Sequence, residues 1–244
     1  MKRILLTIAL MTAGIGLWSE NMPVITNNLP QWMVLLREAI YEQRLTANQI
    51  MPLYESTKTA AQNNVSGATL DVALSRCEFF IGRALQYEKR EREAAAHYNE
   101  GMRLAERALA AAPSADAWLM RAENLSRRCS IGPWTFTIAN GLDVERFAKN
   151  ALSINRRNAA AQILIASRWI YAPAPFNNIN RGINMMKAVL EDGDMEKNDL
   201  FNVYYAIGWG YAKQRNHNEA RSWLLRAQDI YPTNKNVSEQ LYNL

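Results

Sequence analysis

The spacing of apolar positions predicts helices along almost the whole chain. Apolar residues recur every three to four positions from Leu29 to the C-terminus, whereas the strict alternation of half-buried strands is rare. A period of this length is typical of amphipathic α-helices. Glycine, proline and asparagine cluster between the apolar runs, where turns belong. The pattern therefore predicts an all-α chain of consecutive helix pairs, in which internal repeats are expected.

The last predicted helix pair carries the clearest pattern. Its members, in chain order, are Tyr204, Ile207, Gly208 and Tyr211 on one helix, the polar turn Gln214–Asn218, then Ala220, Leu224 and Ala227 on a second helix, and finally Pro232. Small residues at Gly208 and Ala220 let two antiparallel backbones approach closely, while Tyr211 and Leu224 fill the space beside them. Either Asn216 or Asn218 is expected to cap the second helix, and Pro232 to end it.

This pattern resembles the tetratricopeptide repeat (TPR), whose consensus is W-x2-L-G-x2-Y followed by A-x3-F, a further alanine and a terminal proline. The residues that match it outright are Gly208, Tyr211, Ala220, Ala227 and Pro232. The conservative replacements are Tyr204, Ile207 and Leu224. The resemblance implies a solenoid of antiparallel helix hairpins whose first helices line a concave groove.

Weaker versions of the pattern precede the last pair, around residues 165–188, 118–154 and 81–112. In the third unit the turn at 172–178 is longer than the family norm. In the second unit about ten extra residues, around 130–142, stand between the two helices. The chain thus holds about four units, and at least three are needed to bury a continuous core.

The predicted boundaries divide the chain after its leader into two parts. Residues 23–66 are expected to form an N-terminal capping helical hairpin, which Pro52 kinks or interrupts. Residues 67–244 are expected to form the TPR-like repeat domain. Within its first unit the second helix is predicted to run from Glu91 to Ala112, and Pro113 to stop it.

The insertion 130–142 includes the segment Gly132-Pro133-Trp134-Thr135-Phe136, which reads as a loop. Its two aromatic residues leave two interpretations open. They form an exposed binding tip, or they fold back and cover the gap between the helices. The second is the favoured interpretation.

The N-terminus has the pattern of a secretory signal peptide. Lys2 and Arg3 precede the uncharged run Ile4–Trp18, which is too short for the roughly 20 apolar residues of a spanning helix. Residues 1–19 are therefore predicted to be a cleaved signal peptide, with an uncleaved signal anchor as the alternative. Either interpretation places the body of the protein outside the cytoplasm, in the periplasm.

Composition and charge argue against several classes of function. Apolar residues make up 49% and charged residues 21% of the 244 residues, as in ordinary globular proteins. The formal net charge of +5 falls by two if residues 1–19 are removed, and the basic residues are interleaved with acids, so no nucleic-acid partner is expected. His97 and His217 read as solvated or capping histidines. No catalytic or phosphate-binding motif occurs, so we expect no enzyme activity, cofactor or metal site.

The two cysteines are expected to remain thiols. When the repeats are aligned, Cys77 lies at the start of the first helix of unit one, and Cys129 lies at the end of the first helix of unit two. These two helices are expected to run side by side, so the two positions differ by about 18 Å along the helix axis. A disulfide needs α-carbons within about 7 Å.

The groove implied by the resemblance is the candidate site. Its residues, carried over unit by unit, are Arg76, Phe79, Arg83, Tyr87, Glu123, Arg127, Ser167, Tyr171, Asn202, Tyr205, Trp209 and Lys213. Aromatic residues and arginine dominate binding hot spots. The set lacks the lysine and asparagine pattern of the chaperone-binding carboxylate clamp. For Phe79 and Trp209, packing against long loops or a terminal helix is the competing interpretation.

Two functions remain open at this point. The first is an exported scaffold that binds a protein or peptide partner in the cell envelope through the groove. The second is an accessory subunit of a TRAP-type solute uptake system, to which irregular exported TPR-like chains are similar. A central apolar pore or cavity would favour the second function, and an open, wet groove would disfavour it.

Overall fold

The computed structural model describes residue 25 and residues 29–244, and the predicted signal peptide or anchor at residues 1–19 lies outside them. Within the described residues the chain forms helices joined by turns, with isolated bridges in place of strands. The helices are α1 (Gln31–Glu42), α2 (Ala47–Asn64), α3 (Gly67–Tyr87), α4 (Glu91–Ala111), α5 (Ala115–Ile131), α6 (Trp134–Ile154), α7 (Ala159–Tyr171), α8 (Ile179–Asp192), α9 (Lys197–Lys213), α10 (His217–Ile230) and α11 (Lys235–Tyr242).

Side-chain caps fix where many of these helices begin. Ser114 accepts a hydrogen bond from the backbone of Ala117 at the start of α5, and asparagines do the same at the starts of α7, α8, α10 and α11. Such caps satisfy backbone donors that have no partner within the helix. Of the two candidates for the cap of α10, it is Asn216 that accepts from the backbone of Glu219.

The helices α3–α4, α5–α6, α7–α8 and α9–α10 pack as consecutive antiparallel pairs. The first helices of neighbouring pairs, α3, α5, α7 and α9, also contact one another in order. This is the architecture of a TPR-like helical solenoid, so the predicted all-α fold is confirmed, while the division into about four repeat units stays a prediction. The long second helix of the first unit is α4, which ends one residue before the predicted Ala112. The division at residues 66 and 67 coincides with the turn between α2 and α3, but it stays a prediction as a domain boundary.

Close backbone approach explains the glycine of the repeat pattern. A Cβ atom added at Gly208 would lie 2.7 Å from Cγ of Leu224 and 3.1 Å from its backbone nitrogen, so α9 and α10 meet where the sequence places their smallest residue. In the first unit a Cβ atom at Gly82 would lie 2.6 Å from the ring of Tyr98. The same glycine position thus brings the two helices together in the first and the last unit.

We expect Gly208→Ala to lower the free energy of unfolding by about 1–3 kcal/mol, because the added methyl group forces α9 and α10 apart. Chemical denaturation of the variant and of the parent measures the difference. Gly141→Ala on α6 is the matched control, since nothing lies within 4 Å of its added Cβ atom. The control is expected to be neutral or stabilising by up to about 1 kcal/mol. Equal effects of the two substitutions would contradict the proposed close approach.

Two sequence-based expectations about irregular segments need correction, the first in full and the second in part. Residues 134–142 of the expected loop insertion are the first turns of α6, which begins directly after Pro133. A helix tolerates the one glycine in this stretch at a cost of about 1 kcal/mol. Pro52 does not interrupt α2, which runs through it, and a kink at Pro52 stays a prediction. Because Pro52 lies early in the helix, it removes one hydrogen bond to the carbonyl of Asn48, and the capping box of Thr46 holds the start of α2 in place.

Candidate functional site

The N-terminal helix α1 lies across the predicted groove, between the first and the last unit. Its buried side chains Met33, Leu36 and Ile40 share one core with residues of α3 and α9. Hydrogen bonds also join α1 to the turn between α10 and α11, where Asn234 donates from Nδ2 to the carbonyl of Tyr41 at 2.7 Å. The chain therefore covers part of its own concave face.

Tyr41 is the centre of this contact. Its ring stacks on Tyr231 with centroids 5.1 Å apart and meets Phe201 edge-on at 5.5 Å. Its hydroxyl accepts hydrogen bonds from the guanidinium of Arg83 and from Nδ2 of Asn202, the latter at 3.1 Å. One fully buried side chain of α1 thus connects α3, α9 and the end of α10.

Arg83 is buried among aromatic side chains. Its Cζ atom lies 4.3 Å from the ring centroid of Tyr41, and it also donates a hydrogen bond to the hydroxyl of Tyr87. Burial opposes the charged form of Arg83, but the phenol oxygens of Tyr41, Tyr87 and Tyr98 outweigh it and raise the pKa of the guanidinium. Burial raises the pKa of Tyr41 as well, so this hydroxyl stays protonated. The tyrosine side chains therefore surround a guanidinium group that stays charged.

Ion pairs join α1 to the start of α9. Arg37 donates from Nη1 to Oε2 of Glu196 at 2.7 Å and from Nε to Oε1 of Glu38 at 2.9 Å. Lys197 donates to the other oxygen of Glu38 at 2.5 Å. The Arg37 side chain is 3% exposed, so this pair lies in a medium of low dielectric where a missing partner is costly.

The predicted groove residues fall into three groups along the concave face. The group that α1 covers contains Arg83, Tyr87 and Asn202. A second group lines a cavity beside the N-terminal end of α1 and contains Arg76, Phe79 and Glu123. The rest lie towards the other end of the face and include Arg127, Ser167, Tyr171, Tyr205, Trp209 and Lys213. Of the twelve residues, Phe79 and Arg83 are the two that are buried. Their partner-binding role stays a prediction, and their observed partners are intramolecular.

The cavity beside α1 has a volume of about 420 Å³, which lies within the usual range of ligand sites. Its lining residues come from α1, the turn after α2, α3, α5, the start of α7 and the start of α9. The apolar lining residues include Trp32, Phe79, Phe80 and Leu119. The polar lining residues include Arg76, Asp116, Glu123, Asp194, Glu196, Asn198 and Asp199.

Two carboxyl groups of this cavity, those of Glu123 and Asp199, have raised pKa values. Burial raises the pKa of Glu123, against the opposing effect of Arg76, Arg83 and Arg127. Burial also raises the pKa of Asp199 to about 7, and the nearby charges of Glu123 and Glu196 add to this shift. Groups in such an environment gain from any cation that enters the cavity.

The far end of the concave face carries an aromatic cluster that α1 leaves open. Tyr171 and Trp209 lie with ring centroids 4.8 Å apart, and Nζ of the exposed Lys213 lies 4.8 Å from the Trp209 ring. Tyr205 stacks on Phe201 at 6.1 Å and so continues this surface towards α1. Arg127 and Ser167 are half-buried on the neighbouring helices α5 and α7.

Trp134 and Phe136, the two aromatic residues of the segment that was expected to be a loop, differ in exposure. Phe136 folds back under the guanidinium of Arg128, whose Cζ atom lies 4.5 Å from its ring centroid. Trp134 is 73% exposed and shares one face of α6 with the exposed Ile138 and Leu142. Phe136 therefore packs against Arg128 and Trp134 is exposed, while a binding role for Trp134 stays a prediction.

The expectation that His97 is solvated or capping is wrong. Its Nδ1 atom lies 2.6 Å from Oε2 of the buried Glu78, whose Oε1 accepts a hydrogen bond from the Tyr54 hydroxyl at 2.5 Å. This cluster ties α2, α3 and α4 together. Cys77 and Cys129 are free thiols as expected. Among the described residues, no three His, Cys, Asp or Glu side chains are grouped to hold a metal ion.

Several residues of the cavity carried no signal in the sequence. Trp32 comes from α1, which lacks the repeat pattern, while Glu196, Asn198 and Asp199 come from the turn and first residues of α9. The TPR resemblance assigns groove positions to the middle of each first helix. It therefore had no means of indicating an N-terminal helix or the entry to α9 as part of the site.

The helix pairing and the partly covered concave face define a class of protein. It is a TPR-like helical repeat protein in which α1 packs on the concave face. Among solved structures the chain is similar to the crystal structure of YrrB, described as a TPR protein with an unusual peptide-binding site. The identity is 14% and the TM-score 0.38, over 88% of this chain and 99% of that chain. No protein-family model and no curated protein sequence matches this chain. The fold assignment rests on the helix pairing. None of the helices described is long and apolar enough to cross a membrane.

Proposed function

We propose that this protein is a non-catalytic scaffold, exported to the cell envelope, that binds a peptide or protein segment in the cavity beside α1. The observation that carries the proposal is the partial filling of the concave face. The chain covers the part around Arg83 itself and leaves a cavity of about 420 Å³ next to it, with both apolar and charged walls. Concave sites of this mixed character are typical of ligand recognition.

The proposed export rests on the sequence pattern of residues 1–19. Cell fractionation followed by mass spectrometry of the mature N-terminus tests it. A chain that begins near residue 20 in the periplasmic fraction is the expected result, and a full-length cytoplasmic chain would overturn the envelope part of the proposal.

The cavity also bears on the choice between the two functions that the sequence left open. An accessory subunit of a TRAP-type uptake system was expected to hold a central apolar pore or cavity. The observed cavity includes Arg76, Asp116 and Glu123 among its wall residues. This charged wall supports the scaffold in preference to the accessory subunit.

Site-specific photocrosslinking in intact cells tests the scaffold proposal. A photoreactive amino acid at Thr69, an exposed residue at the cavity wall, is expected to capture one defined envelope protein. The same amino acid at Arg221, which is exposed on α10, is the control and is expected to capture none of it. Equal capture at both positions, or self-crosslinks alone, would contradict the proposal. Substitution of Arg83 is unsuitable for this purpose, because that side chain is buried.

A further inference from the structure

The ion pairs around the cavity leave two of its carboxylates without a cation. Asp116 lies 3.7 Å from the guanidinium of Arg76, Glu196 pairs with Arg37 at 2.7 Å, and Asp194 pairs with Arg157 at 2.9 Å. Among the described residues, neither Glu123 nor Asp199 forms an ion pair with any basic side chain. Among the lining residues that the structure describes, Arg76 is the one cation, and its guanidinium already lies 3.7 Å from Asp116.

Among the described residues, the carboxylate of Asp199 accepts hydrogen bonds only from uncharged donors. It is 5% exposed, and it accepts hydrogen bonds from the backbone of Glu196 and from Nδ2 of Asn198, both at 3.1 Å. Both donors are uncharged. Asn198 is a residue of the cavity lining, and its shielded Oδ1 atom has no hydrogen-bond partner within the described part of the chain. Buried acceptors that lack donors are exceptional in folded proteins and call for an explanation.

The pKa shifts of the two carboxyl groups also indicate that the cavity favours a bound cation. Burial raises the pKa of both Glu123 and Asp199, so holding these two groups ionised costs free energy. Arg76, Arg83 and Arg127 act on Glu123 from longer range and do not remove this cost. A ligand cation in direct contact would offset it.

Apolar and aromatic residues also line the cavity. They include Trp32, Phe79, Phe80 and Leu119. A side chain that suits both kinds of lining residue therefore needs an aliphatic stem and a terminal group that is a cation and a donor. Lysine has this form, with four methylene groups and three N–H donors.

We infer that the cavity binds a lysine side chain of a partner peptide, with the ammonium group between Glu123 and Asp199 and the methylene stem against Trp32 and Phe79. This inference rests on the proposed scaffold function and names the chemistry that its site recognises. An alkylammonium group also occurs in small free amines, and the experiment separates the two sources.

Calorimetric titration with defined peptides tests the inference on the mature chain. Four otherwise identical heptapeptides with blocked ends carry lysine, norleucine, ε-acetyl-lysine or glutamate at the central position. The lysine peptide is expected to bind at least tenfold more tightly than the other three. Equal binding of the lysine and norleucine peptides would overturn the inference, and so would preference for glutamate, which would assign the site to Arg76.

Charge-neutral variants locate the effect. Glu123→Gln and Asp199→Asn keep the shape of each side chain, and the amide oxygen of asparagine still accepts the hydrogen bond that Asp199 takes from the backbone of Glu196, the N-cap of α9. Each variant is expected to weaken the lysine peptide at least tenfold and to leave the norleucine peptide unchanged. Glu191→Gln, at an exposed carboxylate on α8, is the matched control and is expected to have no effect. Undiminished lysine binding by both cavity variants would overturn the inference.

Two further arms separate the possible failures. Free n-butylamine that binds as tightly as the lysine peptide would assign the cavity to a small amine and overturn the peptide source. If position 69 captures a cellular partner but the lysine peptide shows no preference, the inference fails and the scaffold function stands. If position 69 captures nothing and none of the peptides binds, both fail.

Discussion

Replacement of Tyr41 by alanine is expected to lower the free energy of unfolding by about 3–5 kcal/mol, as is usual for a large aromatic side chain removed from a core. The substitution removes the ring contacts with Tyr231 and Phe201 and leaves a cavity between the first and last units. It also takes away the hydroxyl that accepts from the buried Arg83. Urea denaturation followed by circular dichroism measures the loss.

Tyr242→Ala is the matched control, because Tyr242 is 91% exposed at the end of α11. The same chemical change there is expected to alter stability by less than about 0.5 kcal/mol. Tyr41→Phe isolates the hydroxyl and is expected to cost about 1–3 kcal/mol, since the donors of Arg83 and Asn202 lose a buried acceptor. A loss below 1 kcal/mol for Tyr41→Ala would show that α1 does not hold the two ends of the solenoid together.

Arg37→Met should have an effect of similar size, about 3–5 kcal/mol, for an electrostatic reason. The substitution keeps an unbranched apolar stem but removes the guanidinium from the buried Glu196 and from Glu38. Desolvation then acts on Glu196 without the guanidinium charge that offset it, while Lys197 still pairs with Glu38. The free energy of unfolding at pH 7 is the quantity to measure.

An exposed ion pair supplies the comparison for Arg37. Arg103 and Glu100 lie 2.6 Å apart on α4 with both side chains about half exposed, so Arg103→Met is expected to cost less than about 1 kcal/mol. The double variant Arg37→Met with Glu196→Leu is expected to recover much of the loss, because it buries no carboxylate at position 196. Equal losses for Arg37→Met and Arg103→Met would mean that the pair at α1 is effectively solvated.

The sequence predicted the repeat architecture because that architecture is specified locally. Gly208 and Leu224 are sixteen positions apart, and the packing of their two helices depends on a short pattern that one unit contains in full. Irregular segments were harder to predict. Residues 134–142 were interpreted as a loop because they exceed the length of the family pattern, although their composition is compatible with the helix that they form.

The candidate site was predicted only in part, for a physical reason. Phe79 and Arg83 occupy the expected face, but what covers them is set by α1, which contacts positions far away in the sequence. No period or spacing in α1 indicates which surface it packs on. The sequence therefore did not indicate that Tyr41 is the centre of a contact or that Asp199 is part of a cavity.

The contact between α1 and the last unit changes how such a chain folds. In open repeat stacks each unit touches only its neighbours, so units fold and unfold almost independently. Here hydrogen bonds join residues 159 and 193 positions apart. Long-range contacts of this kind slow folding and make it more cooperative. The apolar face of α1, which is synthesised early, has no complete partner surface until Tyr231 has been made, so α1 is among the last of the described helices to be secured.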